Sequence, residues 1–251
     1  MKLKNNYLVI DFGNSCIKAG IYNRVTDKLL ETQTVDNKTP AADLLSKFKC
    51  LQNQKIDQVV MSLTARPPLT DPFIADLKKI LNVDVKAAEQ PDFEHLLDLS
   101  NIAKDVKIGT DILVSAYYGI KKIHSGCVMS LGTIYYVVMF ANKQITNVLL
   151  LPSIVRSLQS TIQFGKIDKD CIPEVFDKTK GLNTKDAFAA GANLLIEGAA
   201  DWIVKGYGIR PDHIWITGGD GVKFKNTTSK YHYDNMLIVN GLIELLKDKS
   251  W

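Results

Sequence analysis

Asp11 closes an apolar run, Tyr7-Leu-Val-Ile, and is followed by Gly13, Asn14 and Ser15 before a second strand-like run from Cys16 to Tyr22. A carboxylate next to small turn residues suits a phosphate loop that works through a cation. Gly13 lets the backbone approach a ligand closely, and successive N–H groups in such a bend form an anion-binding nest. Asp11 would repel a phosphate unless a metal ion lay between them. Mg2+, a hard cation that keeps several of its waters, resolves that conflict. Asp11 is therefore the candidate metal residue, acting through water, with Gly13, Asn14 and Ser15 as candidate phosphate ligands. Lys18 follows Asn14 by four residues and is placed either to reach the phosphates or to lie in solvent. The same stretch also reads as an ordinary hairpin turn rich in Asn, Gly and Ser.

Two further groups carry candidate chemistry. Gly109-Thr110-Asp111 opens a stretch with helical periodicity. An Asp there favours a helix N-terminus, and Thr110 can cap it. It is also where a general base would take a proton from an attacking hydroxyl, as phosphoryl transfer commonly requires. Thr217-Gly218-Gly219-Asp220-Gly221 follows an apolar strand, where the glycines either admit a flat ligand such as adenine or make a plain turn. The four histidines have no mutual spacing that suggests catalysis.

The elements that must position these residues repeat. Gly126 to Asn142 lays over the opening hairpin at a constant offset: Ser130 falls on Asp11, Gly132 on Gly13, Thr133 on Asn14, Phe140 on Ile21 and Asn142 on Asn23. Each copy continues with a third strand, from Lys28 to Val35 and from Gln144 to Leu151, and then a helix, from Pro40 and from about Ser153. Gln58–Leu63 reads as a strand ended by the turn Thr64-Ala-Arg-Pro-Pro, with helices at 71–81 and 109–123. A long helix begins at Thr184 or Asp186, with Gly191 and Gly198 as close-packing sites on one face. His213–Thr217 and a weaker run from Tyr233 to Val239 read as strands, and a last helix covers 242–247. Mixed strands and helices in duplicate give an α/β fold of two similar lobes, residues 1–118 and 119–251, facing each other across a cleft.

Composition excludes several alternatives. The chain has 251 residues and a net charge of +4, with its lysines scattered, so charge does not call for nucleic acid. Four cysteines lack the spacing of a zinc site or a disulfide framework. The N-terminus has no signal-peptide apolar region and no apolar run approaches a membrane span, which makes a cytoplasmic protein the expectation.

Taken in order, Asp11-Phe-Gly-Asn-Ser with Lys18, Gly109-Thr-Asp111, Leu131-Gly-Thr133, Gly181-Leu-Asn-Thr184 and Ile216-Thr-Gly-Gly-Asp220 resemble the type III pantothenate kinases. The match runs from end to end and includes Ser62 with Pro67-Pro68 and the closing Leu237-Ile-Val-Asn-Gly-Leu242. The resemblance implies an actin/Hsp70/sugar-kinase (ribonuclease H-like) fold, a homodimer, and phosphorylation of pantothenate by ATP with Mg2+. It implies ATP-phosphate contacts from Asp11, Gly13, Asn14, Ser15, Lys18, Gly132 and Thr133, with Gly218 and Gly219 on the nucleotide. It further implies Asp111 as the base, and pantothenate contacts from Gly109, Thr110, Asp111 and Thr184. A dimer would bury the helix at 109–123 and bring Tyr117 or Tyr118 close to the partner.

The departures lie on the acceptor side. Ser130 stands where the family has an Asp that helps place a monovalent cation, which leaves a K+ or NH4+ site without its carboxylate. Ile112 stands where the family has an Arg that contacts substrate, and Pro152-Ser153 is what survives of a Pro-Gly motif. Two alternatives to pantothenate phosphorylation follow: a weak or inactive nucleotide-binding relative acting through a partner, or a kinase for another small hydroxyl compound.

Overall fold

The computed structural model describes residues 5–52, 54–64, 67–103, 105–224, 227 and 229–249. The opening hairpin forms from β1 (Asn6–Phe12) and β2 (Cys16–Asn23), with β3 (Lys28–Asp36) antiparallel on its outer edge. On the other side of β1, β4 (Gln58–Leu63) and the short β5 (Val85–Ala87) run parallel, giving the sheet order β3-β2-β1-β4-β5. β1 is buried from Tyr7 to Ile10 and β4 from Gln58 to Ser62. A central strand covered on both faces reads as an unbroken apolar run, as β1 does.

Alternate side chains of that sheet meet different helices. Leu8, Ile10, Phe12 and Ile17 pack with Leu44 and Leu45 of α1 (Ala41–Ser46) and with Phe73 and Leu77 of α2 (Pro67–Leu81). The last helix, α6 (Leu237–Asp248), lies against β1, β2 and β4. It meets α3 (Thr110–Lys122) at Gly241, where a Cβ would come within 2.5 Å of Val114 Cγ1. Only a residue without a side chain permits that approach.

The second sheet repeats the first. β6 (Ser125–Leu131), β7 (Ile134–Ala141) and β8 (Gln144–Pro152) form the antiparallel meander. β9 (Ile214–Thr217) and β10 (His232–Tyr233) add in parallel, in the order β10-β9-β6-β7-β8. β6 begins and ends at the repeat equivalents of β1. Its core includes Met129, Leu131, Tyr135, Val137 and Phe224, with Ile196, Ala200 and Ile203 from α5 (Thr184–Tyr207). α4 (Ile154–Gly165) follows β8, with Ser153 as its N-cap accepting from the Arg156 N–H.

The chain divides into two units. The first holds residues up to 97, 102–118 and 236 onward, and the second holds 98–101 and 119–235. The boundary at 118/119 falls inside α3. The C-terminal segment, placed with the second lobe on sequence grounds, belongs instead to the first, because the apolar face of α6 is buried on the first sheet.

Four local expectations change. α2 starts at Pro67 rather than near Asp71: proline ends a strand, but it also fits the first turn of a helix, where its missing N–H is not needed. Tyr233–Val239 is not one strand; β10 stops at Tyr233 and α6 begins at Leu237. Gly191 and Gly198 are not close-packing sites within the chain, since a Cβ at either meets nothing within 4 Å among the described residues. Tyr117 and Tyr118 do not reach outward, being only 2% and 6% exposed, and the Tyr117 hydroxyl donates to Asp248.

Candidate functional site

In the first unit the register of three strands and one helix start brings the predicted groups together. Asp11, the penultimate residue of β1, pairs with Lys18 on β2 and with Ser62 on β4. Lys18 is only 5% exposed, so it does not lie in solvent; it is held beside Asp11. Asp11 keeps partial exposure but sits deep enough that burial pushes its carboxyl up to about 7. Lys18 pulls that value down, and the negative charge of Asp111 pushes it up. The general base and the metal residue predicted from sequence are therefore electrostatic neighbours.

Asp111 lies in the first turn of α3. Burial raises its carboxyl to about 6, against the opposing pull of hydrogen bonds from the Ile112 N–H and its own N–H. Gly109 makes room for this side chain, since a Cβ there would stand 2.6 Å from Asp111 Oδ1. Thr110 does not serve as a cap through its hydroxyl. That group donates to the Leu63 carbonyl at 3.3 Å and lies 3.0 Å from Ser62 Oγ.

The loop between β1 and β2 is a tight turn closed by Gly13 N–H to the Cys16 carbonyl at 3.0 Å, with Asn14 and Ser15 exposed. Asn37 braces it. Its amide donates to the Asn14 carbonyl at 2.7 Å, and its backbone N–H donates to the Ser15 carbonyl at 3.2 Å. Sequence reading missed Asn37; its only local signal is a lone amide at the exit of β3, where turn residues are ordinary.

In the second unit the repeat loop and the Thr-Gly-Gly segment are joined. Gly218 has φ of +97°, and a Cβ on it would stand 2.4 Å from the Leu131 carbonyl carbon. Its glycine requirement is thus intramolecular: where the chain leaves β9 it lies against the backbone at the end of the parallel neighbour β6, just before Gly132 and Thr133. Gly219 is exposed and open, with nothing within 4 Å of a Cβ. Asp220 accepts from Tyr135 Oη at 3.1 Å and Ser153 Oγ at 3.4 Å, linking this segment to the starts of β7 and α4. Ser130 is 8% exposed and aligned with Thr217. Thr184 is the first residue of α5 and is exposed.

These groups fit Mg2+ and a nucleotide phosphate. Two carboxylates with raised pKa values, Asp11 by burial and the charge of Asp111 and Asp111 by burial, stand with one lysine and have a deficit that a divalent cation would relieve. Among the described residues no three His, Cys, Asp or Glu side chains gather as a metal cluster. A cation here would keep water or phosphate oxygens as its other ligands, as Mg2+ does.

Duplicated five-stranded mixed sheets flanked by helices define an actin/sugar-kinase-type fold. The chain belongs to the type III pantothenate kinase family, whose model matches residues 7–206. It is 27% identical over 241 residues to a type III pantothenate kinase of Mycoplasma mobile, covering 92% of this chain and 95% of that one. Solved structures agree at the level of fold. An activator of 2-hydroxyisocaproyl-CoA dehydratase from Clostridium difficile with bound ADPNP superposes with a TM-score of 0.55 at 12% identity, covering 97% and 95% of the two chains. A polyphosphate/ATP-glucomannokinase from Arthrobacter superposes at 0.51 and 11% identity, covering 98% and 100%.

Proposed function

We propose that this kinase transfers the γ-phosphoryl group of Mg2+·ATP to the hydroxyl of pantothenate, with Asp111 as general base. The observation that carries this reading is the pairing of Asp11 and Asp111 in one unit, each with a raised pKa. A base poised near the working pH combines ionisation with proton affinity, which an ordinary Asp lacks. Asp11 orients the cation's waters. Lys18 and the N–H groups of Asn14 and Ser15 hold phosphate oxygens, while the Gly13 N–H closes the turn on Cys16 and Asn37 keeps the loop in shape. Thr133 and Gly132 in the second loop, with Gly218 and Gly219, serve the nucleotide; Gly109 and Thr184 serve the acceptor, while the Thr110 hydroxyl is engaged with β4. Mg2+ supplies charge neutralisation on the transferred group when bound. No monovalent-cation requirement is expected, since Ser130 offers no carboxylate. The decisive experiment is a phosphoryl-transfer assay with ATP, Mg2+ and pantothenate beside a panel of small hydroxyl compounds.

The acceptor carboxylate lacks the arginine that the family places after Asp111. A bidentate charged contact is worth about 2–5 kcal/mol when its partner stays buried. Ile112→Arg is therefore expected to raise kcat/KM for pantothenate by about 30-fold or more, at about 1.4 kcal/mol per tenfold. The KM for ATP should not move. An unchanged kcat/KM would mean that the acceptor's carboxylate is not held at this position, and would favour a different hydroxyl substrate.

The proposed homodimer forms through α5. Gly191, Leu194, Leu195, Gly198 and Trp202 recur at helical spacing opposite the buried Ile196, Ala200 and Ile203. Leu194, Leu195 and Trp202 are 71%, 63% and 54% exposed, and the two glycines leave the stripe open to close approach. By length and composition α5 also resembles a membrane span, yet its inner side is part of the second unit's core. Wild-type chain should sediment as a dimer at micromolar concentration, and Leu195→Glu with Trp202→Ala as a folded monomer. A monomeric wild type would remove the dimer. Four free cysteines and the use of ATP support a cytoplasmic location.

A further inference from the structure

Ser62 is a fully buried hydroxyl on β4, in register with Asp11 of β1. The arrangement that satisfies both hydroxyls has Thr110 donating to the Leu63 carbonyl at 3.3 Å and Ser62 donating to Thr110 at the 3.0 Å contact, where either oxygen has the geometry to donate. The hydrogen-bond chain runs from Ser62 Oγ to Thr110 Oγ1 to the Leu63 carbonyl. It ties the first residue of α3 to the end of β4. The Ile112 and Leu113 N–H groups both donate to the Gly109 carbonyl, at 3.1 and 3.2 Å, so the turn that carries Asp111 is closed immediately beyond the tie.

We propose that Ser62 and Thr110 are positioning residues for Asp111, a two-hydroxyl clamp that fixes the start of α3 against β4 and so holds the carboxylate beside the exit of β1. This rests on the reading of Asp111 as the base. Burying a hydroxyl costs free energy unless it is bonded, so a Val–Ala pair of similar shape would serve packing alone. Hydroxyls add direction, and phosphoryl transfer depends on direction: a displacement of about 1 Å can cost about 100-fold in rate. Neither residue has to touch substrate for this effect.

Thr110→Val keeps the shape and drops the hydroxyl. It is expected to lower kcat by about 10- to 100-fold, with the KM for Mg2+·ATP within about twofold. Ser62→Ala should do the same, and Thr110→Ser should recover most of the loss. In an Asp111→Asn background, Thr110→Val should have no further effect on the residual rate, while the fall in thermal stability should be the same in both backgrounds. A second measurement needs no turnover: hydrogen exchange at the Ile112 and Leu113 amides should quicken in Thr110→Val and not in Thr110→Ser. Equal fold losses of rate in both backgrounds, or wild-type exchange in Thr110→Val, would overturn the clamp. Failure of the wild type to phosphorylate pantothenate would sink the substrate reading alone and leave the exchange experiment to decide the clamp.

Discussion

Asp111→Asn is expected to reduce phosphoryl transfer by about 100- to 10,000-fold, the usual contribution of a positioned general base. Mg2+·ATP binding should survive the change. The charge of Asp111 raises the pKa of Asp11, so its removal makes Asp11 easier to ionise and, below neutral pH, a better partner for the cation. The substitution therefore separates chemistry from binding: kcat collapses while the ATP affinity measured by calorimetry holds or tightens. Wild-type turnover in Asp111→Asn would disprove the base assignment, and parallel loss of ATP binding would assign Asp111 to the nucleotide instead.

The pH profile follows from the same two carboxylates. A base must be ionised, so kcat/KM should climb with pH through about 6, where burial places the Asp111 carboxyl, and further through about 7, where Asp11 ionises in the free protein. Once Mg2+·ATP is saturating, the cation favours the charged forms of both groups. The acid limb of kcat should then lie at lower pH than that of kcat/KM. Coincident limbs would show that neither carboxylate senses the metal.

How much of this was legible depends on the range of the interactions involved. The two hairpins were readable because turn chemistry is local: Gly13 and Gly132 announce their bends, and β1 and β6 correspond residue for residue. Asp11 and Asp111 were identifiable because each lies at the end of an element with a clear period. Their electrostatic coupling was not, since it depends on the parallel register of β1 with β4 and on the Ser62–Thr110 contact across 48 residues of chain. Lys18 was ambiguous for the same reason: alternation puts it on a face but does not bury it. The start of α6 reads as strand because Leu237-Ile-Val239 is a short apolar, β-favouring run, which periodicity alone does not separate from the first turn of a helix. Gly191 and Gly198 shared a face as predicted, but spacing alone says nothing of whether that face looks into the core or away from it.

Asp11→Asn should stabilise the free protein and abolish its metal-dependent binding of ATP, two effects of opposite sign from one side chain. The folded-state pKa of Asp11 is raised from 3.8 to about 7. Below pH 4 the acid is protonated whether the chain is folded or not, and it contributes no difference. Between pH 4 and 7 the unfolded chain gives up the proton while the folded chain keeps it, so the stability of the wild type declines as pH rises. Above 7 the full penalty is in place, at most about 4 kcal/mol at 1.36 kcal/mol per pKa unit. Asn has the shape of the protonated acid and cannot ionise, so the variant escapes this decline. The attraction to Lys18 does not reverse the argument, because it is already contained in the value of about 7. Thermal melts without nucleotide should show the two proteins alike at pH 4 and the variant several degrees more stable at pH 8. Saturating Mg2+·ATP should raise the melting temperature of the wild type alone and so shrink that gap. A ligand at 100 times its Kd adds about 2.7 kcal/mol to a protein that binds it, and only the wild type retains the carboxylate that holds the cation's waters. A variant that melts below the wild type at pH 8 without ligand would refute the buried-charge account, and one still stabilised by Mg2+·ATP would release Asp11 from the metal.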